Sequence, residues 1–374
     1  MKAVIAAAGT GGHINPGIAI ANKIREKEPT SEIIFIGTDR GLENDLVPRA
    51  GYELKQIDAH GINRKLSIEN FKNLYLTFRS IGKAKKILRN FKPDIVIGTG
   101  GYICVPTVIA AKQLRIPVIL HESNAFPGVA IRLFKNTADK ILVGFQDAKK
   151  RLNNRENIVV TGNPIKLKKI NFSKEEKEKI INDLGLKTDK PIVLVFGGSQ
   201  GAQSINRSFM EIIANKKNKK YQIIWAAGAN QYEGIREKLS EVNIDIEHIE
   251  NVKIVPYIYN MEEIMNVCDL IVCRSGAMTI TEISVVEKPA IFIPFPYATE
   301  NHQEYNARVL ADVGAAKIIL DKELNSEVLS TTINEIVNDK KMLTDMSKNS
   351  SKVAIYNVEE TIYNEIKETI SNKI

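Results

Sequence analysis

Gly276-Ala277-Met278-Thr279-Ile280-Thr281-Glu282 decides how this chain is read, together with the earlier stretch Gly197-Gly198-Ser199-Gln200-Gly201. Each follows a short apolar run of strand character and opens a helical pattern. Gly9-Thr10-Gly11-Gly12-His13 repeats the arrangement at the N-terminus, and Gly98-Thr99-Gly100-Gly101-Tyr102 lies between. Helix N-termini offer unpaired N–H groups and the positive end of a dipole. Glycine-bearing strand-to-helix turns therefore point to a phosphate ligand held by several backbone donors.

Working outward, strands are expected near Ala3–Ala7, Ile33–Ile36, Ile95–Ile97, Val118–Leu120 and Ile141–Val143, with helices at Pro16–Lys27, Ile68–Asn90 and Val105–Leu114. The pattern restarts with strands at Ile192–Phe196, Gln222–Ala226, Lys253–Val255, Leu270–Val272 and Ala290–Ile293. Its helices fall at Gln203–Ala214, Met261–Asn266, Met278–Glu287 and Gln303–Ala311. Continuous apolar strands alternating with helices imply parallel sheets covered on both faces, an α/β class. Each half opens with a strand, a glycine loop and a helix, so the chain reads as two Rossmann-like domains. Gly162-Asn163-Pro164 breaks regular structure before the polar stretch Lys166 to Lys190. This sets domains at 1–163 and 164–350. The remaining 351–374, with a helical pattern over Val353–Ile370, either ends the second domain or crosses back to the first. Open α/β sheets bind ligands beyond the C-terminal ends of their strands, so the two domains are expected to face each other across a cleft.

The 374 residues suffice for two domains. No apolar run approaches the roughly 20 residues that span a bilayer. The run Met1 to Ala8 is short and meets a glycine loop at once, which suits a first strand rather than a signal peptide and predicts a cytosolic chain. Cys104, Cys268 and Cys273 lack metal-ligand spacing and read as buried, reduced thiols. No metal and no cofactor are expected. The net charge of +8 is compatible with nucleic acid, an anionic membrane surface or an anionic substrate.

The motifs narrow these options. In Gly9 to Pro16, Asn15 suits a cap and Pro16 a first turn. The glycine spacing is not a dinucleotide fingerprint, which disfavours a nicotinamide dehydrogenase. His13 has a pKa suited to a general base; a structural histidine in a tight turn is the alternative. The loop at Gly197–Gly201 offers backbone amides and the Ser199 hydroxyl to a diphosphate, and lacks the Lys-Ser/Thr of a Walker loop. Glu282 is placed to accept from two ribose hydroxyls, or merely to complement a helix dipole. Glu300-Asn301-His302-Gln303, after Pro294-Phe295-Pro296-Tyr297, suits sugar hydroxyls, as does Asn124 in His121-Glu122-Ser123-Asn124. His121 and Glu122 fit a loop-fixing pair as well as catalysis. In the basic helix, Phe71, Leu74, Tyr75, Phe78 and Ile81 form a core face. Lys72, Leu76, Arg79, Lys83 and Lys86 form the opposite face, suited to anionic lipid or to plain solvation. Aromatics do not interleave with these basic residues, so nucleic acid is not an expected partner.

Taken in order, Gly11-Gly12-His13-Ile14-Asn15-Pro16, Gly98-Thr99-Gly100-Gly101-Tyr102, His121-Glu122-Ser123-Asn124, Gly162-Asn163-Pro164, Gly197-Gly198-Ser199-Gln200-Gly201-Ala202 and Arg274-Ser275-Gly276-Ala277 resemble the signatures of glycosyltransferase family 28. The resemblance, to its peptidoglycan N-acetylglucosaminyltransferases, runs over nearly the whole chain. It implies the GT-B fold, in which two Rossmann-like domains face each other. It implies inverting transfer of N-acetylglucosamine from UDP-GlcNAc to the 4-hydroxyl of MurNAc in lipid I, giving lipid II and UDP. It also implies a peripheral place on the cytoplasmic side of the cell membrane, and other cell-wall synthesis proteins as partners. By the same resemblance Ser199 meets the diphosphate and Ile258 presents backbone to uracil. Ala277, Met278, Thr279, Ile280 and Thr281 cradle the nucleotide, Glu282 holds the ribose and Gln303 reads the sugar. Thr10, Gly11, Gly12 and Asn124 close over the donor sugar. Lys166 stands where the family usually has Arg, keeping the charge without the bidentate fork, and Ser123 stands where Gln is common. His13 is the first candidate base and Glu122 the second. The rivals are a glycolipid-forming transferase, a UDP-sugar epimerase and a non-catalytic UDP-sugar-binding subunit.

Overall fold

The computed structural model describes residues 1–59, 68–198, 201–246 and 248–372, with side chains described for all of these except 68–78. Two compact units emerge: Met1–Lys166 with Ile355–Ile374, and Leu167–Ala354.

Among the described residues the first unit holds seven strands: β1 (Lys2–Ala7), β2 (Glu32–Gly37), β3 (Glu53–Gln56), β4 (Ile95–Gly100), β5 (Val118–Glu122), β6 (Lys140–Val143) and β7 (Ile158–Val160). Their spatial order is β3-β2-β1-β4-β5-β6-β7, all parallel. The second unit holds β8 (Ile192–Phe196), β9 (Gln222–Ala226), β10 (Val252–Val255), β11 (Leu270–Cys273), β12 (Ala290–Phe292) and β13 (Ala316–Ile318). These run parallel in the order β10-β9-β8-β11-β12-β13. The α/β class and the paired Rossmann-like sheets match the sequence reading.

Parallel pairing requires a crossover after each strand, and helices on both faces leave the central strands no polar face. Val4, Ile34, Val96, Val118 and Ile141 pack on one face of the first sheet, against Leu88, Val108 and Ile131 of the helices. Ile5, Phe35, Ile97, Ile119 and Leu142 point to the other face, against Ile14, Ile20 and Ile24. In the second unit Trp225 and Phe209 are buried with rings 6.1 Å apart, and the Trp225 indole N–H donates to Asn206 Oδ1 at 3.0 Å.

The short outer strands β3, β7 and β13 escape the sequence reading. Glu53-Leu54-Lys55-Gln56 and Ala316-Lys317-Ile318 are brief and partly polar, as edge strands are, so no apolar run marks them.

The last helix, Val358–Ser371, lies in the first unit. Val358, Ile362 and Ile366 pack into the cluster of Ile5, Ile20 and Ile24. Its outer residues form ion pairs: Glu360 with Lys23 and Lys27, Lys140 with Glu365 and Glu368, and Lys367 with Glu28. Hydrogen bonds from Lys367, the N-terminal ammonium and Tyr363 together hold the Glu28 carboxyl down at about 2. Buried Ile366 is the anchor least able to be replaced by water. Ile366→Ala should cost about 2–5 kcal/mol. Urea unfolding followed by a probe in the first unit should show its midpoint fall while the second unit's transition stays in place.

Candidate functional site

Both sheets reverse their strand order once, between β1 and β4 and between β8 and β11. Ligands of open α/β sheets bind beyond the C-terminal strand ends at such reversals. The glycine loop at residues 9–12 follows β1, and the one at 98–102 runs from the last residues of β4 into the turn beyond it. Gly197 and Gly198 follow β8, and residues 274–276 follow β11. All four loops therefore gather at the two reversal points, one pair per unit.

The helices that leave three of these loops are open at their N-termini. Gly11–Lys27, Gln203–Ala214 and Ala277–Val285 have neither a side-chain cap nor an acidic residue in the first turn. The helix after the fourth loop, Cys104–Gln113, is open in the same way, as is Val129–Phe134, whereas Ser173 makes a capping box and Asn325 and Asp339 each cap two amides. Uncapped amides and a bare dipole end leave room for an external anion.

In the first unit, His13 sits in the first turn of helix Gly11–Lys27. Its Nδ1 lies 3.1 Å from the Ala8 carbonyl, which can only accept, so Nδ1 carries the proton and Nε2 keeps its lone pair. The ring lies against Gly100, where a methyl group would stand 2.2 Å from Cδ2. A register shift between β1 and β4 at Ala6/Ala7 accompanies this packing, and Thr99 Oγ donates to His13 O at 2.7 Å. Burial lowers the His13 pKa, opposed by the Ala8 hydrogen bond and the Glu43 charge, and the net direction is down. The imidazole is therefore a neutral acceptor at neutral pH.

Glu122, buried at the end of β5, has both oxygens engaged. Oε1 accepts from Asn124 N and Nδ2 at 2.8 and 3.1 Å, and Oε2 accepts from Gly128 N at 2.7 Å. It organises the turn that presents Asn124. His121, one residue earlier, is buried and lowered to about 4, chiefly by that burial. Thr10 and Gly12 are exposed at the mouth of the N-terminal loop, with Gly11 half-buried. Lys166 is exposed at the end of the unit's main segment.

In the second unit, Ala277, Met278, Thr279, Ile280 and Thr281 form the first turns of helix Ala277–Val285. Glu282 follows on that helix and has no hydrogen-bond partner among the described residues. Burial alone raises its pKa to about 7. A carboxylate set into protein without donors lacks what a pair of hydroxyls would supply. Gln303 Oε1 accepts from Ser275 N and Phe295 N at 3.2 and 3.0 Å, which turns the amide nitrogen outward as a donor. Glu300 and Asn301, just before it, both take left-handed backbone (φ 53° and 55°), a strained pair that sets the start of the helix carrying Gln303. Ile258 is buried between exposed Tyr257 and Tyr259, whose rings meet edge to face at 5.0 Å. Ser199 lies outside the described residues.

Arg274 binds the strand ends together. Its guanidinium donates to Ile293 O, Pro294 O, Asp321 and Ser204 Oγ at 2.6–3.1 Å. Sequence reading missed Ser204, Asp321 and buried Asn306, which donates to Ser275 O. Their pairings are long-range, so no local motif announces them. A cavity of about 530 Å³ in the same unit, lined by Ser204, Asn206, Arg207, Gln231 and Lys238, touches neither Glu282 nor Gln303.

Residues 3–143 match the glycosyltransferase family 28 N-terminal domain and residues 192–362 the glycosyltransferase family 28 C-terminal domain. The chain belongs to glycosyltransferase family 28. Among its relatives is a protein of Acetivibrio thermocellus named UDP-N-acetylglucosamine--N-acetylmuramyl-(pentapeptide) pyrophosphoryl-undecaprenol N-acetylglucosamine transferase. It is 42% identical over 374 residues, spanning 100% of this chain and 99% of that one. A protein of the same name from a Thermoanaerobacter species is 43% identical over 367 residues, or 98% and 99% of the two chains. The crystal structure of Acinetobacter baumannii MurG superposes with a TM-score of 0.79 at 28% identity, covering 98% of this chain and 99% of that one. The pair of Rossmann-like units is accordingly that of the GT-B glycosyltransferases.

Glu282 yields a signed prediction for the ligand-free protein. Its folded pKa stands above the unfolded value, so its stability contribution is intact below pH 4.5 and is lost as pH rises through about 7. Glu282→Gln should leave the melting temperature at pH 5 nearly unchanged. At pH 8 it should raise stability by about 1–3 kcal/mol. Differential scanning fluorimetry across pH reads the crossover.

Proposed function

We propose that this chain transfers N-acetylglucosamine from UDP-N-acetylglucosamine to the N-acetylmuramyl 4-hydroxyl of pyrophosphoryl-undecaprenol-linked muramyl pentapeptide. UDP and the disaccharide lipid are the products. The observation that carries this reading is identity above 40% to the transferases of that name along the whole chain. The chemistry of both units agrees with it.

The second unit holds the donor. Glu282 accepts from the ribose hydroxyls. Amides at the start of helices Gln203–Ala214 and Ala277–Val285, with the Ser199 hydroxyl, receive the diphosphate. The outward nitrogen of Gln303 donates to the sugar, and backbone at Ile258 meets uracil. The first unit supplies the base, with Thr10, Gly11, Gly12 and Asn124 as sugar contacts and Lys166 lending charge to the phosphate. The acceptor O–H gives its proton to His13 Nε2 while its oxygen attacks the anomeric carbon. The bond to the diphosphate oxygen breaks, and UDP leaves with the electron pair. Configuration inverts in this single displacement. Developing charge on UDP falls on fixed amide donors, which stabilise it without reorganisation. With both its oxygens occupied, Glu122 serves better as the holder of Asn124 than as the base.

A lipid-linked acceptor requires contact with a membrane. Among the described residues no helix is long and apolar enough to cross one. We place the contact on the helical layer of the first unit. Arg79, Lys83 and Lys86 are exposed on helix Ile68–Phe91, and Val129 and Leu133 stand 60% and 59% exposed beside Arg132. Lys72 and Leu76 belong to the same proposal, although their side chains lie outside the described set. Exposed apolar and basic residues on one helical layer suit the interface of an anionic bilayer. The reading places the protein on the cytoplasmic side of the cell membrane, among other cell-wall synthesis proteins.

Four measurements test these assignments. With UDP-GlcNAc and a lipid I analogue, the purified chain should release UDP and form the disaccharide lipid; absence of product overturns the function. His13→Gln should lower kcat by about 10²–10⁴-fold with little change in donor KM. Ser199→Ala should cost about 2.7–4 kcal/mol of transition-state stabilisation. Leu133→Glu combined with Lys83→Glu should reduce co-sedimentation with anionic vesicles, and unchanged binding removes this face as the contact.

A further inference from the structure

Glu43 is a fully buried carboxylate in the first turn of helix Glu43–Arg49. Its neighbours are donors rather than a cation. Oε2 accepts from Gly9 N at 2.9 Å, and Oε1 accepts from Thr38 N at 2.9 Å and Thr38 Oγ at 2.6 Å. The turn before it is shaped around the carboxylate: a methyl group on Gly41 would fall 2.0 Å from Oε2. Asn44 Nδ2 closes that turn by donating to Thr38 O and Gly41 O, both at 3.0 Å. Leu42 N reaches back to Gly9 O at 3.4 Å, so the Gly9 peptide is gripped on both sides. Gly9 adopts φ +94° and is next to Ala8, whose carbonyl orients His13.

We propose that Glu43 is a positioning residue for the transfer reaction: it locks the Gly9 peptide behind the catalytic histidine and supplies the buried negative charge that favours the imidazolium. This rests on the reading of His13 as base. The step it assists conserves atoms and charge. The acceptor proton moves to Nε2, Nδ1–H stays on Ala8 O, and the positive charge so formed is balanced by Glu43 and by departing UDP.

Among the described residues no competing charge on the packed elements does this. Asp45 pairs with Arg49, and Asp39 with Arg40, all well exposed. Helix Gly11–Lys27 carries no charged residue before Lys23, and residues 98–102 carry none. Burial tends to raise the Glu43 pKa, but hydrogen bonds from Thr38 and Gly9 outweigh it and the net direction is down. The group is ionised through the neutral range.

The test is Glu43→Gln in the full-length chain, with the pH profile of kcat at saturating donor and acceptor analogue. Removing the anion should move the acid limb to lower pH by about half a unit or more, since His13 then binds its proton less tightly. At pH 8 kcat should fall about tenfold, while KM for UDP-GlcNAc stays within about twofold. A purely structural role would lower kcat at every pH without moving the limb, and that result overturns the proposal. The histidine NMR titration, assigned by the resonance missing in His13→Gln, should shift in the same direction as the limb. Should Glu43→Gln not fold, Thr38→Val removes one donor at constant volume. It should then lower kcat two- to threefold, as a rough expectation for one weakened hydrogen bond. An unchanged kcat and His13 titration in Thr38→Val refutes the role. If His13→Gln itself keeps wild-type kcat, the base reading fails, whatever Glu43 does.

Discussion

Parallel pairing of strands buried on both faces is the constraint from which the rest of this protein follows. Each crossover must return the chain to the same end of its sheet, so helix N-termini accumulate at the C-terminal strand edge. Where the strand order reverses, two helices diverge and leave a gap. The chain puts glycine loops at both reversals and withholds caps and acids from the four helices that leave them. Unsatisfied amides there are a standing cost that an anionic ligand removes. The same economy shows at Glu282, a carboxylate without a hydrogen-bond donor among the described residues.

The two units use this plan for different chemistry. The second offers fixed donors and, among the described residues, the Glu282 carboxylate without a hydrogen-bond donor, as suits a nucleotide rich in phosphate oxygens and hydroxyls. The first turns its carboxylates inward: Glu43 and Glu122 both spend their oxygens on loop backbone. What it leaves available is a neutral imidazole with a defined tautomer. Electrostatic preorganisation of this kind needs the second layer of residues as much as the first.

Much of this was legible in the sequence, for identifiable reasons. Apolar runs such as Ile192–Phe196 mark central strands because burial on both faces admits nothing else. Glycine loops mark strand-to-helix turns because close approach of backbone excludes side chains. The edge strand Glu53–Gln56 stayed hidden because its residues meet water. Glu43 stayed hidden because nothing in Gly41-Leu42-Glu43-Asn44 distinguishes it from an ordinary first-turn acid; its partners Gly9 and Thr38 come together only in the folded chain. The roles of Arg274 and Asp321 depend in the same way on strands far apart in sequence.

The placement of helix Val358–Ser371 has a bearing on biosynthesis. The first unit is discontinuous, built from segments on both sides of Leu167–Ala354 in sequence. On a ribosome its seven strands emerge early, yet the surface formed by Ile5, Ile20 and Ile24 stays uncovered until the final helix is released. At the usual elongation speed of about 5–20 residues per second, the whole of Leu167–Ala354 must be translated during that wait. The nascent N-terminal unit thus spends its first seconds as an incomplete body with an apolar stripe open to chaperones, and it is finished only when Val358–Ser371 has followed.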